Sequence, residues 1–217
     1  MDSQAQNILD FIYNAESNGD YNRWHDGFAA NPNKPLTEMT VLEVLEWQQD
    51  SRANKGNSAA GAGQIIYTTL RGLVNEGVIN AEDIFNEETQ NKANFALLEK
   101  RGYNDWKSGR ISDNQFGNKL AKEWASLPVL ETTRRKGRII NVGESYYKGI
   151  SNNKSLVNAN EFISVLDGTG LGSSSFGAYP NRRSFVQEGE VDTYDPNTAR
   201  ATPESGFWLR EQWLRRG

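Results

Sequence analysis

The chain has 217 residues, no cysteine, a single histidine and a formal net charge of −4 at pH 7. The missing thiols exclude disulfides and thiolate chemistry, and one His25 would leave a zinc site to be built almost wholly from carboxylates, against the metal's ligand preference. Residues 1–50 hold nine acids against two bases, the reverse of the basic footprint of a nucleic-acid-binding chain.

The opening Met1-Asp2-Ser3-Gln4 has no basic segment leading into an apolar one, and no run approaches the roughly 18 apolar residues of a membrane span. Synthesis in the cytoplasm without a signal peptide and no membrane insertion are therefore expected. Six Trp and eight Tyr serve a core or offer flat platforms for sugar rings.

The pattern predicts a mostly helical domain over about 3–166. A first helix covers roughly 3–15, with Ser3 as N-cap. It carries the run Ile8-Leu9-Asp10-Phe11-Ile12-Tyr13 and ends at Glu16, before the turn formers Ser17-Asn18-Gly19-Asp20-Tyr21-Asn22. Residues 17–35 read as a small hairpin or irregular loop, with His25 solvated or packed in a Trp-His-Asp-Gly turn. Thr40 caps a helix over 41–48, Glu43 completing a capping box. Residues 50–60 read as loop, followed by helices at 64–76 and 81–85. Asn86 caps 87–101, whose acids lead and whose bases trail, and Gly102 closes it. One turn is expected at 105–108. Ser112 caps a helix running to Ser126, stopped by Pro128. Residues 129–149 are basic and broken by Gly. Their cluster Arg134-Arg135-Lys136-Gly137-Arg138 reads as a solvated loop, with contact to an anionic wall polymer or a partner as the alternative. A last helix is expected at 158–166.

After Leu166 the composition turns linker-like, then rich in Pro, Gly, Asn and charge. It closes on Phe207-Trp208-Leu209-Arg210-Glu211-Gln212-Trp213-Leu214, apolar at helical spacing. The expected division is a domain at 1–166 and an extended tail at 167–217 that serves as linker and docking segment.

Glu16 carries the chemistry. A carboxylate where a helix gives way to a loop is half-buried, and burial lifts its pKa toward the range of a general acid. About 42 residues on lies Ser58-Ala59-Ala60-Gly61-Ala62-Gly63-Gln64-Ile65-Ile66.

Together with Ala15-Glu16-Ser17, Glu123-Trp124-Ala125-Ser126-Leu127-Pro128 and Gly143-Glu144-Ser145-Tyr146-Tyr147-Lys148-Gly149, this segment resembles the lambdoid phage endolysins, lytic transglycosylases of lysozyme-like fold. The pieces lie in the family's order over roughly 10–157. Ala62 and Gly63 stand where that family has Arg and Tyr, so this turn is closer to that of cellular lytic transglycosylases. The resemblance implies a mainly α (α+β, lysozyme-like) fold, with a small β-hairpin or loop lobe lining a cleft. It also implies cleavage of the MurNAc–GlcNAc bond of peptidoglycan by a single acid, with no cofactor and no metal. Carried over, Glu16 is catalytic. Ser17, Asp20, Tyr21, Ser58, Gln64, Tyr146 and Tyr147 bind substrate, one of the two tyrosines turning its hydroxyl toward Glu16. The partners implied are glycan strands and, through 167–217, other virion proteins. The place of action is the periplasm or cell wall, as a free enzyme or as a virion component.

Plainer readings stand beside these. Ser58 and Gln64 also suit helix caps, Tyr21, Tyr146 and Tyr147 packing positions, and Trp124 a core helix face. A muramidase hydrolase would pair Glu16 with Asp20 or Asp26, about 5–5.5 Å apart for retention or about 6.5–9.5 Å for inversion. A non-catalytic wall-binding module is the third reading.

Overall fold

The computed structural model describes residues 1–24, 31–53, 58–150 and 153–169. The expected tail at 170–217, and His25 and Asp26, lie outside the described residues. Among them the protein is mainly helical: α1 (Ser3–Ser17), α2 (Val41–Ala53), α3 (Tyr67–Asn75), α4 (Glu87–Lys100), α5 (Tyr103–Lys107), α6 (Asp113–Leu120) and α7 (Ala159–Leu166). One antiparallel hairpin joins β1 (Thr133–Arg135) to β2 (Arg138–Ile140). No described helix is long and apolar enough to cross a membrane.

Local chemistry sets most helix starts. Asn86, Ser112 and Asn158 each accept a backbone N–H of the first turn, and Ser112 and Asn158 form complete capping boxes. Thr40 and Glu43 exchange the same pair of bonds, 3.2 and 2.7 Å. The first helix is capped by Asp2 rather than Ser3. Its Oδ1 accepts Ala5 N at 2.9 Å and the Tyr103 hydroxyl at 2.6 Å, and a carboxylate at a helix N-terminus outdoes a hydroxyl. These bonds hold the Asp2 carboxyl down at about 2, against an ordinary 3.8, with the Tyr103 bond the largest cause. Its native pKa lies below its unfolded one, so this stabilisation is present above 3.8 and is lost as pH falls toward 2. Asp2→Ala is expected to cost about 1 kcal/mol, read as an earlier urea midpoint at neutral pH, with the gap to wild type closing in acid.

The core forms around α1. Ile8, Leu9 and Ile12 are fully buried and Phe11 nearly so, each contributing about 1.5–3 kcal/mol of burial. Helix α1 packs on α4 and on α7, where Phe11 stacks on Phe162 with ring centroids 5.7 Å apart.

Several elements depart from expectation. Residues 81–85 form no helix, because Ile84 bridges Thr40 and Val41 N donates to Asp83 O at 2.9 Å. Helix α6 stops at Leu120, well short of Ser126. Buried Asn118 takes Leu130 N at 2.7 Å and Glu131 N at 3.2 Å on its Oδ1, folding the following segment back over α6. Helix α3 begins at Tyr67, leaving Gln64 in a turn. The basic cluster is the β1–β2 hairpin, with Lys136 and Gly137 both at positive φ in its two-residue turn, as hairpin twist demands. No strand forms at 17–24 or 31–35, where the sequence allowed a hairpin.

Candidate active site

Glu16 lies one residue before the end of α1, and the helix end is firmly held. Tyr13 O accepts the Ser17 hydroxyl at 3.0 Å, Gly19 N at 3.0 Å and the Asn18 N–H. Asn18 adopts the left-handed conformation, φ 58°, which turns the chain away and leaves Glu16 half-buried.

The partner of Glu16 comes from 110 residues further on. Ser126 Oγ donates to Glu16 Oε1 at 2.7 Å and Ser126 N approaches it at 3.4 Å. Burial pushes the Glu16 carboxyl up from its ordinary 4.5, and the two Ser126 donors only partly oppose that. Such a group holds a proton where a free glutamate has lost it.

Ser126 is itself locked in place. It is 4% exposed, its carbonyl accepts Leu156 N at 2.8 Å, and the neighbouring Ala125 O accepts the Ser145 hydroxyl at 2.8 Å. Two residues back, Trp124 Nε1 donates to Gly63 O at 3.2 Å. The Ser126 segment therefore ties Glu16 to the glycine-rich turn.

That turn is a tight hairpin. Ala60 and Ile65 exchange backbone bonds at 3.1 and 2.9 Å around Gly61-Ala62-Gly63-Gln64. Gly61 and Gln64 sit at φ 77° and 49°. Fully buried Gln90 of α4 organises it, accepting Ala62 N and donating to Tyr21 O and Phe85 O, all at 2.9 Å. A Cβ on Gly63 would lie 2.2 Å from Asn94 Oδ1, and Ala62 is fully buried. This packing leaves no room for a larger side chain at either position.

The remaining candidate residues are placed as follows. Ser17 is buried and its hydroxyl closes α1. Asp20 is exposed and accepts Asn22 N at 2.8 Å, forming its own turn. Tyr21 donates to Asn91 Oδ1 at 3.1 Å and meets Tyr13 edge-on. Ser58 is fully buried, with Oγ accepting Tyr67 N at 3.0 Å at the start of α3. Gln64 is half-buried and donates to Gly61 O at 2.9 Å and Arg23 O at 3.3 Å, stiffening the hairpin. Tyr147 donates to Lys122 O at 2.7 Å, and burial raises its phenol above the ordinary 10. Among the described residues, no hydrogen bond joins Tyr146 or Tyr147 to Glu16. Glu16 and Ser126 are the pair brought together; the others build the frame around them. Ser126 lies inside a segment that carries the family resemblance, yet nothing local marks it as the partner of Glu16.

Comparison with models of protein families, with curated proteins and with solved structures found no match to this chain.

Proposed function

We propose that this protein cleaves the β-1,4 bond between N-acetylmuramic acid and N-acetylglucosamine in peptidoglycan and leaves 1,6-anhydro ends, as a phage-encoded wall-lytic enzyme. The observation that carries this reading is the half-buried Glu16 carboxyl, with raised proton affinity, set at a helix end against Ser126. Protonated Glu16 gives its proton to the leaving glycosidic oxygen as the C1–O bond breaks. The substrate's own N-acetyl carbonyl stabilises the cation at C1. The Glu16 carboxylate then takes the proton of the muramic C6 hydroxyl, whose oxygen closes on C1. Protons and bonds balance without water, metal or a second acid. The motif resemblance over roughly 10–157 supports the same substrate.

The test is mass spectrometry of soluble muropeptides released from purified sacculi. Products with anhydro ends, one water lighter than hydrolysed ones, are expected. Reducing muramic ends would replace the reading with a hydrolase and turn attention to Asp20 and Asp26. Binding to sacculi without soluble products would replace it with a wall-binding module.

Ser126 has a separable part in this scheme. Its hydroxyl bonds more strongly to the carboxylate that forms in the transition state than to the neutral acid. Loss of a bond to a charged group costs about 1.5–3 kcal/mol. Ser126→Ala is therefore expected to lower kcat roughly tenfold or more with little change in KM. It also removes the hydroxyl's lowering effect on Glu16 while leaving that of the backbone N–H, so the alkaline limb of the pH–rate profile moves upward. An unmoved profile with unchanged kcat would remove Ser126 from the mechanism.

A further inference from the structure

The segment that ends at Ser126 begins with a second cluster, which the proposed chemistry does not use. Lys122 Nζ stands 5.4 Å from the centroid of the Tyr146 ring, and Arg135 Cζ stands 5.7 Å from the same centroid and 5.0 Å from that of Tyr147. The two rings meet edge-on at 5.3 Å. The cluster draws on three stretches: the turn after α6, strand β1 and the 143–149 segment. All four side chains are half-buried, and the Tyr147 hydroxyl on Lys122 O fixes the backbone between them.

The charges do not balance. Among the described residues Lys122 and Arg135 join no ion pair. Glu123 is held by Arg101 at 2.6 Å and Glu144 by Lys148, while Glu131 is exposed and joins none. Two cations share one ring in a chain whose net charge is −4. Cation–π attraction of about 0.5–1 kcal/mol at exposed sites does not neutralise either charge. The complement of such a site is an anion that lays an apolar part on Tyr146.

Peptidoglycan carries such anions as carboxylates. Lys122 precedes Ser126 by four residues, so their Cα atoms are at most about 14 Å apart. A substituent on a sugar near the one bound at Glu16 reaches that far. We propose that Lys122, Arg135 and Tyr146 form a subsite for a carboxylate carried by the glycan strand, so that the protein selects anionic over amidated wall. This inference rests on the reading of Glu16, and its test keeps the two apart.

Wild type and the Lys122→Gln, Arg135→Gln double variant are incubated with native sacculi and with sacculi whose carboxyls have been converted to amides, and their binding to soluble glycan strands stripped of stem peptides, whose lactyl carboxyls are thereby freed, is titrated separately. Co-sedimentation and muropeptide release are both measured, and circular dichroism checks that the variant is folded. Wild type is expected to favour native over amidated sacculi by about tenfold, a preference that salt erodes; the double variant treats them alike. Binding of wild type to the stripped strands that the double variant loses shows that a freed lactyl carboxylate also fills the subsite, and no such binding confines the ligand to the stem peptide's carboxylates; either outcome upholds the subsite. Equal behaviour of wild type on native and amidated sacculi overturns it, as does a double variant that keeps the wild-type ratio. Selective sedimentation without soluble products from native sacculi would leave the subsite standing and sink the chemistry assigned to Glu16.

Discussion

Glu16→Gln is expected to abolish release of soluble muropeptides while the fold is kept. The amide is isosteric, and it can still accept the Ser126 hydroxyl through its carbonyl oxygen. It cannot give up a proton to the leaving oxygen or take one from the C6 hydroxyl. General acid–base catalysis alone contributes about 10²–10⁴-fold, and here one group does both jobs, so a loss at or beyond the upper end is expected. Release at the wild-type rate would overturn the assignment.

The same variant should also be more stable than wild type at neutral pH. The native Glu16 carboxyl binds its proton more tightly than the unfolded one, whose ordinary pKa is 4.5. Its favourable contribution is complete below that value and is lost as pH rises through the raised native pKa. Gln carries no such penalty. Its melting temperature should exceed wild type's at neutral pH, and the difference should shrink in acid. Activity lost together with a lower melting temperature at every pH would indicate a structural defect instead. A stability maximum sacrificed at a catalytic group is a familiar trade.

The second large effect is expected at Gly61. An alanine Cβ there would lie 2.2 Å from Gln90 Oε1 and 3.2 Å from a ring carbon of Phe85, at φ 77°. Oε1 ends a flexible side chain, but Gln90 is fully buried and holds Ala62 N, Tyr21 O and Phe85 O together. It cannot move aside without leaving backbone groups unsatisfied, at about 1–3 kcal/mol each. Left-handed strain adds about 1–2 kcal/mol for a residue with a Cβ. Gly61→Ala should therefore cost roughly 3 kcal/mol or more in denaturant unfolding, while Gly77→Ala, also at positive φ but with open space around it, pays only the backbone part. Equal losses at the two sites would show that the Gln90 contact is soft.

These predictions mark where the sequence was legible and where it was not. Caps at Thr40, Asn86 and Ser112 are local chemistry, and the helices they cap begin where the pattern places them. The end of α1, at Ser17 just after Glu16, was equally visible, because Asn18 and Gly19 supply the left-handed turn. The glycine-rich hairpin was harder to see. Gln64 looks like the start of a helix until Gln90, 26 residues later, takes up the N–H of Ala62. The premature end of α6 has the same character, since Asn118 reads as an ordinary helix residue until Leu130 and Glu131 fold back onto it. Ser126 was hidden for that reason: a residue expected inside a helix is instead in a turn beyond the helix end, where it reaches Glu16. Polar side chains acting over long sequence distances set the candidate site, and periodicity carries no trace of them.

The contact between α1 and α7 also determines how the chain is closed. Gln4 Nε2 donates to Leu166 O at 3.3 Å, bridging 162 residues, so the two ends of the described domain meet at one pole. Helix α1 rises about 1.5 Å per residue, which puts Glu16 roughly 18 Å from Gln4. The acid thus lies at the opposite end of α1 from the place where the domain's ends converge. A circular permutant that joins those ends by a short linker and opens the chain elsewhere would leave the Glu16–Ser126 pair undisturbed. Any partner attached at that pole would be tethered without covering the reacting end of the helix.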